Sequence, residues 1–245
     1  MNQSKKTENK TSKSDKSFIA CNHCALDNIC KPIPLCNNQA LSQILDNMEQ
    51  RVSLHQGESL FHQNDTMNSL YAVTSGTIKL LSMTNSKHEQ VTGFRFPGEL
   101  LGDDAIYTRK HNTTAIASID TSVCIIPIND IDNISKLIPS FQKLLIELIG
   151  KQCHLLHTQF SAYISQTTAD EKLATFILNM KERTIDDDNI FQIPMNRGDI
   201  ANYLGLRNET LSRILSKFQK NEIISINGKQ LKILDTNALQ TISRL

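Results

Sequence analysis

The sequence predicts an α+β chain built from an N-terminal β-roll of jelly-roll type, a long helix and a C-terminal winged helix-turn-helix. Three observations carry that expectation. Short apolar runs separated by turn residues fill Leu54 to Ile128, a helical pattern runs from Pro139 to about Gln166, and two amphipathic helices flank Gly205 ahead of an Asn-Gly hairpin. The expected divisions are 1–17 (a polar tail), 18–37 (a cysteine-rich segment), 38–138 (the roll), 139–166 (the long helix) and 167–245 (the winged module).

Met1–Ser17 is rich in Lys, Ser, Thr and Asn, with no apolar residue after Met1, and is expected to be disordered. Four of the six cysteines then fall within sixteen residues, at Cys21, Cys24, Cys30 and Cys36. Thiolates so spaced serve as a disulfide framework or as soft-metal ligands. Phe18-Ile19-Ala20-Cys21 faintly resembles a lipoprotein cleavage box, but Lys10–Ser17 lacks the apolar core of a signal peptide. No apolar run approaches the roughly eighteen residues that span a bilayer. The chain is therefore expected to be cytoplasmic and not membrane-bound, where thiols stay reduced and metal binding leads.

A structural zinc site usually takes two close pairs of ligands. Here Cys21 and Cys24 form one close pair, Cys30 is a third sulfur, and no second pair follows. That uneven run suits an iron–sulfur cluster held by four thiolates, with zinc and redox-active thiols as alternatives on spacing alone. The fourth sulfur is then Cys36 or the distant Cys124.

Ala40–Val52 reads as a short helix, with Leu41, Ile44, Leu45 and Met48 at helical spacing. Turn signals at Ser75-Gly76 and Asp120-Thr121 separate the runs of the roll, including Leu70–Val73, Thr77–Leu81, Ala115–Ile119 and Ser122–Ile126. In the long helix Ile146, Ile149, Cys153, Leu156, Phe160 and Tyr163 recur at alternating steps of three and four, the spacing of a coiled-coil seam. A second stripe, Leu145, Leu148, Leu155 and Ala162, is broken by Gln152 and Gln159. The unbroken stripe is assigned to a homodimer contact; the competing reading buries both stripes in one monomer's core.

Thr168-Ala169-Asp170-Glu171 matches a capping box that opens a helix through about Arg183. Between Arg197 and Phe218, apolar residues alternate with polar ones around Gly205, the residue type a tight interhelical turn needs. Two short helices so joined make a helix-turn-helix, whose second helix enters the major groove of DNA. Glu209, Ser212 and Arg213 share its outward face, while Leu211, Ile214, Leu215 and Phe218 point inward. A carboxylate, a hydroxyl and a guanidinium there suit cytosine N4, several bases, and guanine O6/N7 respectively. The bland reading is a surface helix with a Glu209–Arg213 ion pair. Ile223–Leu234 reads as two strands about Asn227-Gly228, a wing whose Lys229 and Lys232 would meet phosphate.

The formal net charge is only +1, but Met195–Leu245 holds eight Lys/Arg against four acids, a local net of +4. Basic charge gathered at one end marks a nucleic-acid-binding module. No nucleophile–base–oxyanion set and no Gly-rich dinucleotide fingerprint is evident, so an enzyme is not expected.

Roll, long helix and winged module together resemble the CRP/FNR superfamily of transcription regulators over about residues 20–240. Cys21-x2-Cys24-x5-Cys30 plus Cys124 resembles the FNR branch, as do Gly198-Asp199-Ile200, Tyr203-Leu204-Gly205-Leu206 and Glu209-Thr210-x-Ser212-Arg213. The resemblance implies an oxygen-labile [4Fe-4S] cluster on Cys21, Cys24, Cys30 and Cys124. It also implies a homodimer on a TTGAT-N4-ATCAA-like DNA palindrome, and contact with RNA polymerase. The implied DNA-binding residues are Glu209, Ser212 and Arg213, with Asn208, Arg197 and Lys229 beside them.

The chain departs from the branch in several places. Arg207 replaces the Ser or Thr common before the recognition helix, and Asn208 an apolar residue. Lys87 and His88 replace a Gly and an acid in the polymerase-facing loop. No acid lies between Lys151 and Thr168, which predicts a tighter apo dimer than in relatives carrying one. Gly98-Glu99-Leu100 partly resembles the superfamily's cyclic-nucleotide pocket, yet Thr113-Thr114-Ala115 lacks the Arg that would hold the cyclic phosphate.

Overall fold

The computed structural model describes residues 51–83, 88–137, 139–165, 168–183 and 189–243, side chains at 137–140, 159 and 161–165 excepted. Cys21, Cys24, Cys30 and Cys36 lie outside the described residues, as does most of the helix expected at 40–52. Its last two residues correct that expectation: Arg51 and Val52 open a strand, because Arg51–Leu54 pairs along Thr121–Cys124.

Two four-stranded antiparallel sheets form the roll. One has the order β1 (Arg51–Leu54), β8 (Thr121–Pro127), β3 (Ser69–Ser75), β6 (Leu100–Leu101). The other runs β2 (Ser59–Phe61), β7 (Thr114–Ala117), β4 (Ile78–Met83), β5 (Glu89–Arg95), leaving β5 at an edge. Successive strand residues point to opposite faces. On β3, Val73 joins Ile78, Leu101, Ala115 and Val123 inside the roll, while Leu70 and Ala72 join a second cluster outside it. That double burial is why Leu70–Val73 reads as a continuous apolar run. Gly76 turns β3 into β4 at φ 83, where a Cβ would collide with the Asp120 carbonyl and Thr121.

Helices α1 (Ile128–Leu137) and α2 (Pro139–Ser165) follow. Ile134 of α1 and Phe141 and Leu145 of α2 cover the outer face of the β3–β8 pair. The separate helix α1 was not expected from the sequence. The interruption of the inward stripe of α2 has a physical cause. Gln152 is buried, and with its amide oxygen turned toward Arg95 it accepts from both Nη atoms at 3.1 and 2.8 Å. Arg95, also buried, donates Nε to the Leu100 carbonyl at 3.1 Å and lies 3.7 Å from the Asp103 carboxylate.

Helix α3 (Ala169–Arg183) starts on the expected capping box: Glu171 N–H donates to Thr168 Oγ1 at 3.2 Å and Thr168 N–H to Glu171 Oε2 at 3.3 Å. The winged module adds α4 (Arg197–Leu204), α5 (Asn208–Lys220), α6 (Thr236–Ser243) and a three-stranded sheet. Its order is β10 (Ile224–Asn227), β11 (Gln230–Ile233), β9 (Ile190–Gln192). The module's core continues without a break into Val91, Phe94 and Phe96 of the roll.

Candidate nucleic-acid interface

Helix α4 is capped by Asn196, whose side-chain oxygen accepts from Asp199 N–H at 2.7 Å. It ends at Gly205, which takes the left-handed conformation (φ 65) that ordinary side chains rarely adopt. Two residues later α5 begins. Its N-cap, Arg207, makes no side-chain capping bond, so the α5 N-terminus lacks the acceptor a Ser or Thr would offer.

Leu211, Ile214, Leu215 and Phe218 of α5 are buried against Leu173, Ile177, Ile200 and Leu231. Burial of this stripe leaves Asn208, Glu209 and Arg213 exposed and Ser212 half-buried. Glu209 and Arg213 form no ion pair with each other among the described residues. In the wing, Gly228 takes φ 60 and Lys229 follows it, exposed, with its carbonyl accepting from Ile193 N–H at 2.7 Å. Lys229 and the exposed Arg197 line one cleft with Met195 and Ile226. The structure thus gathers Arg197 with Lys229, and Asn208, Glu209, Ser212 and Arg213 on one helix.

Other polar residues of the module are engaged with the roll. Lys79 Nζ meets Asp199 Oδ1 at 2.8 Å. Asn202 Oδ1 accepts from Val91 N–H at 2.6 Å, and its Nδ2 donates to the Glu89 carbonyl at 2.9 Å. Arg183 donates Nε and Nη2 to the Glu99 carboxylate at 2.9 and 2.7 Å, and its guanidinium lies over the Phe96 ring. Burial between Phe94 and Phe176 pushes the Tyr203 phenol up. None of these contacts was read from the sequence. Asn202 and Asp199, at i and i−3 on a helix with an apolar opposite side, were the available signal.

Of the predicted metal ligands, only Cys124 is among the described residues. It is half-buried on β8, between β1 and β3, with Arg51 and Ala72 as its cross-strand partners. It therefore shares the sheet face of Ala72 and Ile126, the face that packs on α2. Among the described residues no group of three or more His, Cys, Asp or Glu is placed to hold a metal. Along α2, Ile146 (64% exposed), Ile149 (36%), Leu156 (47%) and Phe160 (65%) form an uncovered apolar stripe, with Cys153 exposed among them. Among the described residues nothing buries this stripe. Tyr163 lies on the same helix, its side chain outside the described residues. No helix among the described residues is long and apolar enough to cross a membrane.

Residues 51–136 match the model of the cyclic nucleotide-binding domain, and residues 171–242 that of the Crp-like helix-turn-helix domain. The transcriptional activator protein FnrA of Stutzerimonas stutzeri is 37% identical over 222 residues, covering 89% of this chain and 90% of the relative. The chain belongs to the FNR branch of the CRP/FNR superfamily. The fumarate and nitrate reduction regulatory protein of Yersinia pestis is 36% identical over 233 residues (92% and 90% coverage). The anaerobic regulatory protein of Haemophilus influenzae is 36% identical over 224 residues (90% and 86%). Among solved structures, FixK2 from Bradyrhizobium japonicum shares the fold with a TM-score of 0.71, at 24% identity, covering 79% of this chain and 96% of that one. This FNR-type chain is accordingly a transcription regulator with a DNA-binding module, not an enzyme.

Proposed function

We propose that the protein is an oxygen-responsive regulator that binds a TTGAT-N4-ATCAA-like palindrome as a homodimer while a [4Fe-4S] cluster is intact. The observation that carries this reading is the open outward face of α5. Arg213 is suited to guanine O6/N7, Glu209 accepts from cytosine N4, and Ser212 and Asn208 complete the set of base-edge contacts. Arg197 and Lys229, together at the edge of the wing, hold phosphates and set the register on the duplex. A palindrome demands two such helices related by a two-fold axis. The uncovered stripe Ile146, Ile149, Cys153, Leu156 and Phe160, continued in sequence by Tyr163, supplies the seam for the second copy. Bound at its operator, the dimer contacts RNA polymerase.

Cys21, Cys24, Cys30 and Cys124 would hold the cluster. Four thiolates are the ligand set such a cluster needs, and Cys124 fits the part in two respects. It lies on the sheet face that packs on the dimer helix, and it stands opposite Arg51 of β1, the described strand nearest in sequence to Cys21, Cys24 and Cys30. When bound, the cluster supplies an oxygen-labile core tying that segment to β8. The relatives named anaerobic regulatory protein and fumarate and nitrate reduction regulatory protein support the oxygen link. Cyclic-nucleotide sensing is disfavoured, because Glu99 of the pocket-like Gly98-Glu99-Leu100 is already engaged by Arg183.

The test is iron and sulfide content, with operator binding by fluorescence anisotropy, on protein prepared without air. Wild type and Cys36→Ser are expected to be brown and to bind the palindrome, whereas Cys124→Ser loses both properties. Equal operator affinity before and after iron removal would overturn the reading.

A further inference from the structure

We infer that α4 is latched to the edge of the β-roll, and that this latch holds the recognition helix at the orientation a palindrome requires. Lys79, Asp199 and Asn202 are then positioning residues for DNA binding. The inference rests on the reading of α5 as the helix that enters DNA.

An edge strand presents outward N–H and C=O groups with no neighbouring strand. On β5 the outward pair at Glu89 and Val91 is taken by a single carboxamide. Asn202 Oδ1 accepts from Val91 N–H (2.6 Å) while Nδ2 donates to the Glu89 carbonyl (2.9 Å). A carboxamide carries the same donor and acceptor as a peptide unit, so this side chain stands in for a ninth strand of the roll. Gln90 Nε2 closes the contact from the other side, donating to the Asn202 carbonyl at 2.6 Å.

One strand further in, Lys79 of β4 reaches Asp199 on the first turn of α4. The pair is mostly buried, with side chains 20% and 15% exposed, and Asn196 Nδ2 holds the second carboxylate oxygen at 2.9 Å. The first helix of a helix-turn-helix crosses the DNA backbone. A carboxylate at its leading end would repel phosphate unless neutralised, and here the cation comes from the roll.

The opposite side of α4, Ile200, Ala201 and Leu204, shares a core with Leu211 and Ile214 of α5, so the two helices move as one body. A second tether, Arg183 to Glu99 and to the Phe94 carbonyl (2.7 Å), holds the end of α3. One tether leaves a body free to swing; two at separate points fix its orientation. With both closed, Asn208, Glu209 and Arg213 face solvent, so the latched arrangement leaves the reading face available.

The test uses the full chain under anaerobic conditions, with Asn202→Ala, Lys79→Met and Lys79→Arg. Readouts are amide exchange at Val91, thermal unfolding, and affinity for a full palindrome and for a duplex carrying one half-site. Asn202→Ala is expected to speed exchange at Val91 and to weaken palindrome binding by about tenfold or more, the loss of one to two such hydrogen bonds. Half-site affinity stays unchanged, and the unfolding midpoint falls only modestly, as the loss of hydrogen bonds within the fold requires. Lys79→Met shows the same split in DNA binding and Lys79→Arg restores it. Orientation matters only when two sites must be met together, so an equal loss on palindrome and half-site overturns the inference, as does wild-type palindrome binding by both loss variants. If wild type binds neither duplex, the DNA reading itself has failed. That outcome is distinct, because Val91 exchange still reports whether the latch exists.

Discussion

The two helices on either side of Gly205, eight and thirteen residues long, both set polar residues opposite an apolar stripe, yet those polar residues have opposite fates. On α4, Asp199 and Asn202 are bound to the roll, and Tyr203 is packed among Phe94 and Phe176. On α5, Asn208, Glu209 and Arg213 have no such partner and face solvent. Polarity alone therefore does not mark a reading helix; what marks it is polar groups left open by a stripe that is fully buried behind them.

The comparison can be broken most severely from behind. Phe218 is completely buried in the core that α5 shares with α4. Phe218→Ala should cost about 3–5 kcal/mol in urea unfolding, erasing the difference between the helices by loosening both. Next in size is the open face itself. Arg213→Ala should lose about 1–3 kcal/mol of discrimination at one guanine, measured by competition between the operator and a version substituted there. If the variant still discriminates as wild type does, Arg213 is not the guanine reader. A gain is expected at the joint between the helices. Arg207→Ser provides the missing N-cap acceptor and should stabilise the winged module by about 1 kcal/mol without altering the reading face.

The smallest effect is a pH dependence on the engaged side. Burial pushes the Asp103 carboxyl up from its usual 3.8, with the neighbouring Arg95 acting against it. A carboxyl that holds its proton more tightly when folded makes stability fall as pH rises from that usual value through the native titration. Urea unfolding of the apo protein across that range should show this decline, and Asp103→Asn should flatten it.

Locally determined features were legible in the sequence. The capping box at Thr168 and Glu171, the left-handed Gly205 and the Asn227-Gly228 hairpin each depend on a few adjacent residues, and each is found where the sequence places it. The strand alternation of the roll was equally readable, since period-two patterning carries it. Helix α1 was missed although Pro127 marks the end of β8 and Ile128, Ile131 and Ile134 recur at helical spacing, because the β-branched run of β8 leads straight into it. Arg51 and Val52 were assigned to a helix because their pairing with Val123 and Cys124 lies some seventy positions downstream. The Asn202–Val91 bond spans 111 positions, and no local pattern announces it. Cys124 was one of two candidates for a fourth sulfur beside Cys36, and only the resemblance to a family chose between them.

The buried fork from Arg95 to Gln152 has a consequence for assembly. Close apolar packing already resists rotation of a helix about its own axis, and two N–H bonds converging on one oxygen add a directional contact to it. α2 is therefore tied through Gln152 to Arg95 at the end of β5, while Phe141 and Leu145 pack it on the sheet that carries Cys124, with Ile146 and Phe160 exposed. Gln152→Leu would complete the inner stripe but take one acceptor from a buried guanidinium, leaving it the Leu100 carbonyl and the Asp103 carboxylate. The glutamine that looks like a flaw in the pattern is the residue through which the inner side of this helix meets a buried charge.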